Sequence, residues 1–102
     1  MAAQMTVVED ALAADVQAAD ADPWDNTLAY TYDDGVFHGY LYAVPDGMGI
    51  EFDKNSYLWD AENPIYSRYV MCGHGTRVEE RLLAENWQEL VSTEDLVVYK
   101  RS

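Results

Sequence analysis

The sequence predicts an α+β domain: one antiparallel sheet packed with two helices, in the order α-β-β-β-β-α-β. Three observations predict it. The tetrads TVVE at 6–9 and TRVE at 76–79 are capping boxes, and each opens a stretch with apolar residues at helical spacing. Residues 28–53 (LAYTYDDGVFHGYLYAVPDGMGIEFD) are rich in strand formers, broken by Asp34-Gly35 and by Pro45-Asp46-Gly47, and read as a three-stranded meander. Two later runs, IYSRYVM and LVVY, supply one or two further strands. A chain of 102 residues makes one domain, 1–102.

The elements follow in order. Residues 1–5 read as a loose tail. A helix over about 7–19 starts at Thr6 as N-cap, and its narrow apolar stripe is Val8, Leu12, Val16 and Ala19. Pro23 ends helical structure in the linker DADPWDN, from which Trp24 drops into the core. In the first hairpin Asp34-Gly35 forms a type I′ turn, pairing Tyr32 with Phe37 and Tyr30 with Gly39. One face carries Leu28, Tyr30, Tyr32, Phe37, Leu41 and Ala43, the other Ala29, Thr31, His38, Tyr40 and Tyr42. The second turn fits two registers. A two-residue loop puts Ile50 and Phe52 on the Leu41 face; a three-residue loop with a bulge puts them with Tyr40 and Tyr42.

Beyond the meander, 54–64 is irregular, with Tyr57, Leu58 and Trp59 tucking inward. Residues 65–71 form a fourth strand, and 72–75 (CGHG) a turn. A helix over about 77–91 turns Val78, Leu82, Leu83, Asn86, Trp87 and Leu90 inward, and Arg77, Arg81, Glu85 and Gln88 to water. Residues 96–99 make a short last strand.

Charge carries the functional signal. Nineteen acids stand against six bases, a net −13. Residues 1–53 hold eleven acids and no Lys or Arg; the remainder holds eight acids and all six bases. Such a field repels naked nucleic acid and steers a basic partner to the acidic half. No apolar run approaches the ~20 residues of a membrane span. The N-terminus lacks the basic region of a signal peptide, and the lone Cys72 allows no intrachain disulfide, so a cytoplasmic location is expected.

Sites of chemistry are sparse. Zinc needs three or four ligands, and Cys72 with His74 and His38 falls short, so no metal is expected. Cys72 and His74 lack a third residue to orient the imidazole as a nucleophile's base. Gly73-His74-Gly75-Thr76 lacks the Lys-Ser/Thr of a phosphate loop, so no nucleotide or other cofactor is expected. The tyrosines come with no basic groove, so they read as packing or protein contact, with Tyr40 and Tyr42 as a candidate aromatic contact face. The chain is expected not to be an enzyme.

The acidic, Ala-rich first helix, then PWDN, then YTYDDG at a hairpin resembles some small phage-encoded DNA-mimicking inhibitors of the anti-CRISPR and anti-restriction type, over roughly the first 50 residues. The resemblance implies a protein that fills the basic groove of a nucleic-acid-binding defence complex, in the host cytoplasm if viral. The acidic patch expected to do this is Asp10, Asp15, Asp20, Asp22, Asp25, Asp33 and Asp34. A second reading is a small structural or interaction protein of a halophilic organism or its virus, acidic for solubility in salt: eleven Asp, eight Glu and two Lys suit that environment.

Overall fold

The computed structural model describes residues 2–19, 27–31, 49–53 and 58–101. They form two helices and five strands: α1 (Ala2–Ala19), β1 (Thr27–Thr31), β2 (Gly49–Asp53), β3 (Tyr69–Gly73), α2 (Arg77–Ala84), β4 (Gln88–Ser92) and β5 (Leu96–Lys100). The fold is α+β, and one sheet runs in the order β2-β1-β3-β5-β4. α1 lies on one face, where Met5, Val8 and Leu12 pack on Leu28, Tyr30, Tyr69, Met71, Leu96 and Val98. On the other face α2 (Val78, Leu82) and the 58–67 segment (Leu58, Ile65) cover Ala29, Val70, Cys72, Val97 and Tyr99. With both faces covered, β3 is buried along its whole length and β5 almost so. That is why YVMCG and LVVY read as unbroken apolar runs.

The sheet is mixed, which corrects the antiparallel expectation. β1 pairs with β2 in parallel, Thr27 opposite Gly49 through Thr31 opposite Asp53, and also in parallel with β3. A meander would hold its first and third strands apart with the second between them. Here those two are direct neighbours, so no strand separates them. The seventeen residues from 32 to 48 exceed the roughly dozen that a parallel crossover needs. Both hairpin turns, the strand expected at 36–44, the linker with Pro23 and Trp24, and Tyr57 lie outside the described residues.

Residues 2–5, expected as a loose tail, are helical, and Met5 is buried. Thr6 therefore lies inside α1 and does not cap it. Met5 extends the Val8–Leu12–Val16 stripe backward by one turn, and burying it offsets the cost of ordering the extra residues. Gln4 also fastens this end. Its amide oxygen accepts from the Asp95 N–H (2.8 Å) and from the Thr93 hydroxyl, and its amide nitrogen donates to the Asp95 carboxylate (2.7 Å). Gln4→Ala is expected to cost about 1–2 kcal/mol, read as a fall of several degrees in the unfolding midpoint. An unchanged midpoint would show that water replaces the amide without loss.

The fourth strand starts at Tyr69, not at 65. Ahead of it the carbonyls of Ile65 and Ser67 accept from the Arg101 guanidinium instead of from a neighbouring strand. Helix α2 begins as expected, with the Thr76 hydroxyl accepting from the Glu79 N–H. The box closes one residue early, because the Glu79 carboxylate accepts from Gly75 N–H at 2.9 Å. The helix then ends at Ala84, seven residues short of the expected 91. Asn86 adopts φ 63°, with its N–H on Leu83 O and the Trp87 N–H on Leu82 O. These are the two bonds of a Schellman motif, and Asn is a residue that tolerates the left-handed position. Trp87 still packs with Leu82, but from beyond the helix, and Leu83 is exposed. The residues after the stop form β4, an added strand between α2 and the closing strand β5. β4 and β3 both run antiparallel to β5, hence parallel to each other.

Candidate acidic interaction surface

The bases among the described residues are turned to internal use. Arg81, expected to face water, is buried at 8% exposure. Its guanidinium donates to Leu58 O (2.9 Å), to Asn63 O (2.6 Å) and to the Glu85 carboxylate (2.8 Å). Arg101 lies over the Trp87 ring, 4.6 Å from its centroid, and Arg77 lies over Trp59 at 4.3 Å. Arg68 lies over Tyr69 at 5.6 Å, and Lys100 pairs with Asp15 at 3.0 Å. Long cationic side chains spent this way cover apolar surface and hold loops.

The acids divide differently. Asp10 is exposed on α1. Asp15 is not part of a solvent-facing row: one oxygen accepts from the Tyr69 hydroxyl at 2.7 Å and the other from Lys100. Burial pushes its pKa up, but the bonds from Tyr69 and Lys100 outweigh that and hold it below the ordinary value. Asp20, Asp22, Asp25, Asp33, Asp34, Tyr40 and Tyr42 lie outside the described residues. Of the two described members of the expected patch, Asp10 is exposed and Asp15 is bonded to Tyr69 and Lys100. The structure adds acids that charge counting had set aside: Glu62, Glu80, Glu89, Glu94 and Asp95 are all exposed. Glu89 is on β4, and Glu94 and Asp95 form the turn into β5.

One cluster carries more chemistry than the sequence suggested. His74 Nδ1 is 3.3 Å from Glu79 Oε2, and Nε2 is 2.9 Å from both Ser92 Oγ and Thr93 O. Glu79 is held in turn by the Tyr99 hydroxyl and the Gly75 N–H. A residue that orients His74 is therefore present, contrary to expectation, and it is Glu79. Cys72 is fully buried in the core. Serine, imidazole and carboxylate in line have the order of a nucleophile relay. Nε2 lies at the same 2.9 Å from the Ser92 hydroxyl and the Thr93 carbonyl, so the ring is held from two sides by the β4–β5 turn. Gly75 N–H, the nearby backbone donor, is already spent on Glu79. The cluster works as a latch joining the β3–α2 turn to the β4–β5 turn. Among the contributions to Glu79, burial is the largest and raises its pKa; Gly75, Tyr99 and His74 outweigh it, and the carboxyl sits below its ordinary value. Burial and Glu79 together push the Tyr99 phenol strongly up.

Beside α2, Trp59, Ala61, Arg77, Glu80, Arg81, Ala84 and Glu85 line an open groove of about 360 Å³. That is the small end of the ligand-site range, and three of the N–H groups of its lining residue Arg81 are given to the chain's own acceptors. Among the described residues no three His, Cys, Asp or Glu side chains gather to hold a metal. No described helix is long and apolar enough to cross a membrane. Comparison with protein-family models, with curated proteins and with solved structures finds no match.

Proposed function

We propose that this chain is a non-enzymatic acidic binding protein that imitates nucleic acid and occupies the basic groove of a nucleic-acid-binding complex, a defence complex being the expected kind. One observation carries the reading: a net charge of −13 in which each described base is engaged within the chain. Among the described residues Asp10, Glu62, Glu80, Glu89, Glu94 and Asp95 are exposed and supply an acidic surface. A rigid three-layer scaffold holding carboxylates can release the same counterions from a Lys/Arg groove as phosphates do. Such an inhibitor acts by steric and electrostatic exclusion, in the cytoplasm where those complexes work.

The test is displacement. DNA-binding defence complexes, each loaded with fluorescent duplex DNA, are titrated with the chain at two salt concentrations. Release of DNA that weakens steeply with salt is expected. The Asp20→Lys/Asp22→Lys/Asp25→Lys variant, with an unchanged circular dichroism spectrum, is expected to release none. Failure of the natural chain to displace DNA from any complex would overturn the reading. So would cooperative folding only above about half-molar salt, where the Debye length falls to a few Å; the acid excess would then be adaptation to a saline environment.

A further inference from the structure

We infer that β4 is a docking edge for an extended, basic segment of the partner, which adds to the sheet as a further strand. This rests on the reading above that the partner is basic, and it names the element that receives it. Among the described residues β4 is the last strand of the sheet and pairs only with β5. Gln88, Glu89 and Ser92 are exposed. Among the described residues no strand pairs with the side of β4 away from β5, so an incoming strand can satisfy its main-chain N–H and C=O groups there.

Three features select the occupant. The first is charge. Glu89 on β4 and Glu94 and Asp95 in the turn after it are exposed, while the nearest cations, Lys100 opposite Gln88 and Arg101 over Trp87, are held by Asp15 and by the carbonyls of Ile65 and Ser67. Two copies of β4 laid edge to edge would bring like charges together, which destabilises cross-strand pairs. A strand carrying Lys or Arg is favoured for the same reason. The second is rigidity. Leu90 and Val91 pack on the α1 side of the core, Gln4 fastens Thr93 and Asp95, and His74 fastens Ser92 and Thr93. An edge already ordered loses little freedom on binding. The third is the bulge between Glu89 and Val91, which interrupts a regular ladder and so limits the incoming strand to a short one.

The experiment uses the full chain and a short peptide alternating lysine with valine. A second peptide of the same sequence and charge is N-methylated at alternate residues, so that it cannot donate to an edge. Titration is followed by isotope-edited NMR with amide exchange. The unmodified peptide is expected to bind and to slow exchange at β4 amides. The methylated one is expected to bind about tenfold more weakly, the loss of one or two main-chain hydrogen bonds. Glu89→Lys/Glu94→Lys, at exposed positions, is expected to abolish binding with the spectrum of the core unchanged. Equal binding of both peptides without protection of β4 would overturn strand addition; displacement of DNA, measured separately, would still decide the acidic-mimic reading. Absence of peptide binding, or sedimentation of the free chain as a dimer with β4 protected, would equally overturn it.

Discussion

Arg81→Met is expected to lower the unfolding midpoint by more than about 10 °C, a loss of about 3–5 kcal/mol for a domain of this size. Methionine keeps most of the buried stem, so the loss isolates the guanidinium. Its three bonds serve three different segments: Leu58 O, Asn63 O and the Glu85 carboxylate at the end of α2. Without it the carbonyls of Leu58 and Asn63 lose this donor, and a buried acceptor left unmade costs more than an average bond gains. The 58–63 segment is otherwise held to α2 by Leu58 in the core and by Trp59 under Arg77. Glu85 tracks the same event: the Arg81 bond is the main cause holding its pKa down, and that depression is expected to relax in the variant. Arg81→Lys is expected to recover little, since an ammonium cannot reach three acceptors spread around a planar fork. A loss below about 1 kcal/mol by chemical denaturation would mean that water reaches both carbonyls and that Arg81 is not the fastener of this face.

Arg81 also shows where the sequence ceased to be legible. Its position at i−4 from Glu85 announces a helix-surface ion pair, and that pair exists. Its burial depends on a loop eighteen to twenty-three residues earlier, which no local pattern encodes. The same division runs through the fold. The Val8–Leu12–Val16 stripe, the Thr76 cap, the tuck of Leu58 and the LVVY strand were legible, because each is a local pattern with one physical meaning. Asn86 was present in the sequence as a helix stop, but it fell at a position in phase with the apolar face and was absorbed into it. The parallel pairing of β1 with β2 was hidden because tight-turn residues between them argued for a local return. For the acidic surface, counting gave the excess, while pairing decided which carboxylates are spent inside. Asp15 looked like any other acid of the first half until Tyr69 and Lys100, fifty-four and eighty-five residues away, were placed on it. Glu79 was legible as the end of the TRVE box but not as the partner of His74, and Ser92 had no signal, since a latch assembled across two turns leaves no fixed spacing.

Asp15→Ala is expected to cost about 2–3 kcal/mol at neutral pH, more than an exposed ion pair would. Tyr69 is fully buried at 0% exposure, and its hydroxyl has the Asp15 carboxylate as acceptor at 2.7 Å. The Lys100 contact is partly exposed and adds little by itself. The pH dependence separates this bond from a packing effect. The Asp15 pKa is depressed in the folded chain, so its contribution is present above the ordinary carboxylate value of 3.8 and is lost as pH falls through the lower folded value. The Tyr69 phenol moves the other way, raised from 10.0 to about 12 by burial first and by the bond to Asp15 second. Its contribution is complete below pH 10 and is lost as pH climbs from there toward about 12. The difference in unfolding free energy between the natural chain and Asp15→Ala is therefore expected to plateau between these limits and to shrink at both ends. Asp15→Asn keeps an acceptor for the phenol without its charge, so it is expected to recover part of the plateau and to lose the acid limb entirely. A difference that stays constant across the range would assign the cost to lost packing on α1. A plateau with two falling limbs would assign it to the Tyr69–Asp15 bond, and would place Asp15 among the residues that hold α1 to the sheet.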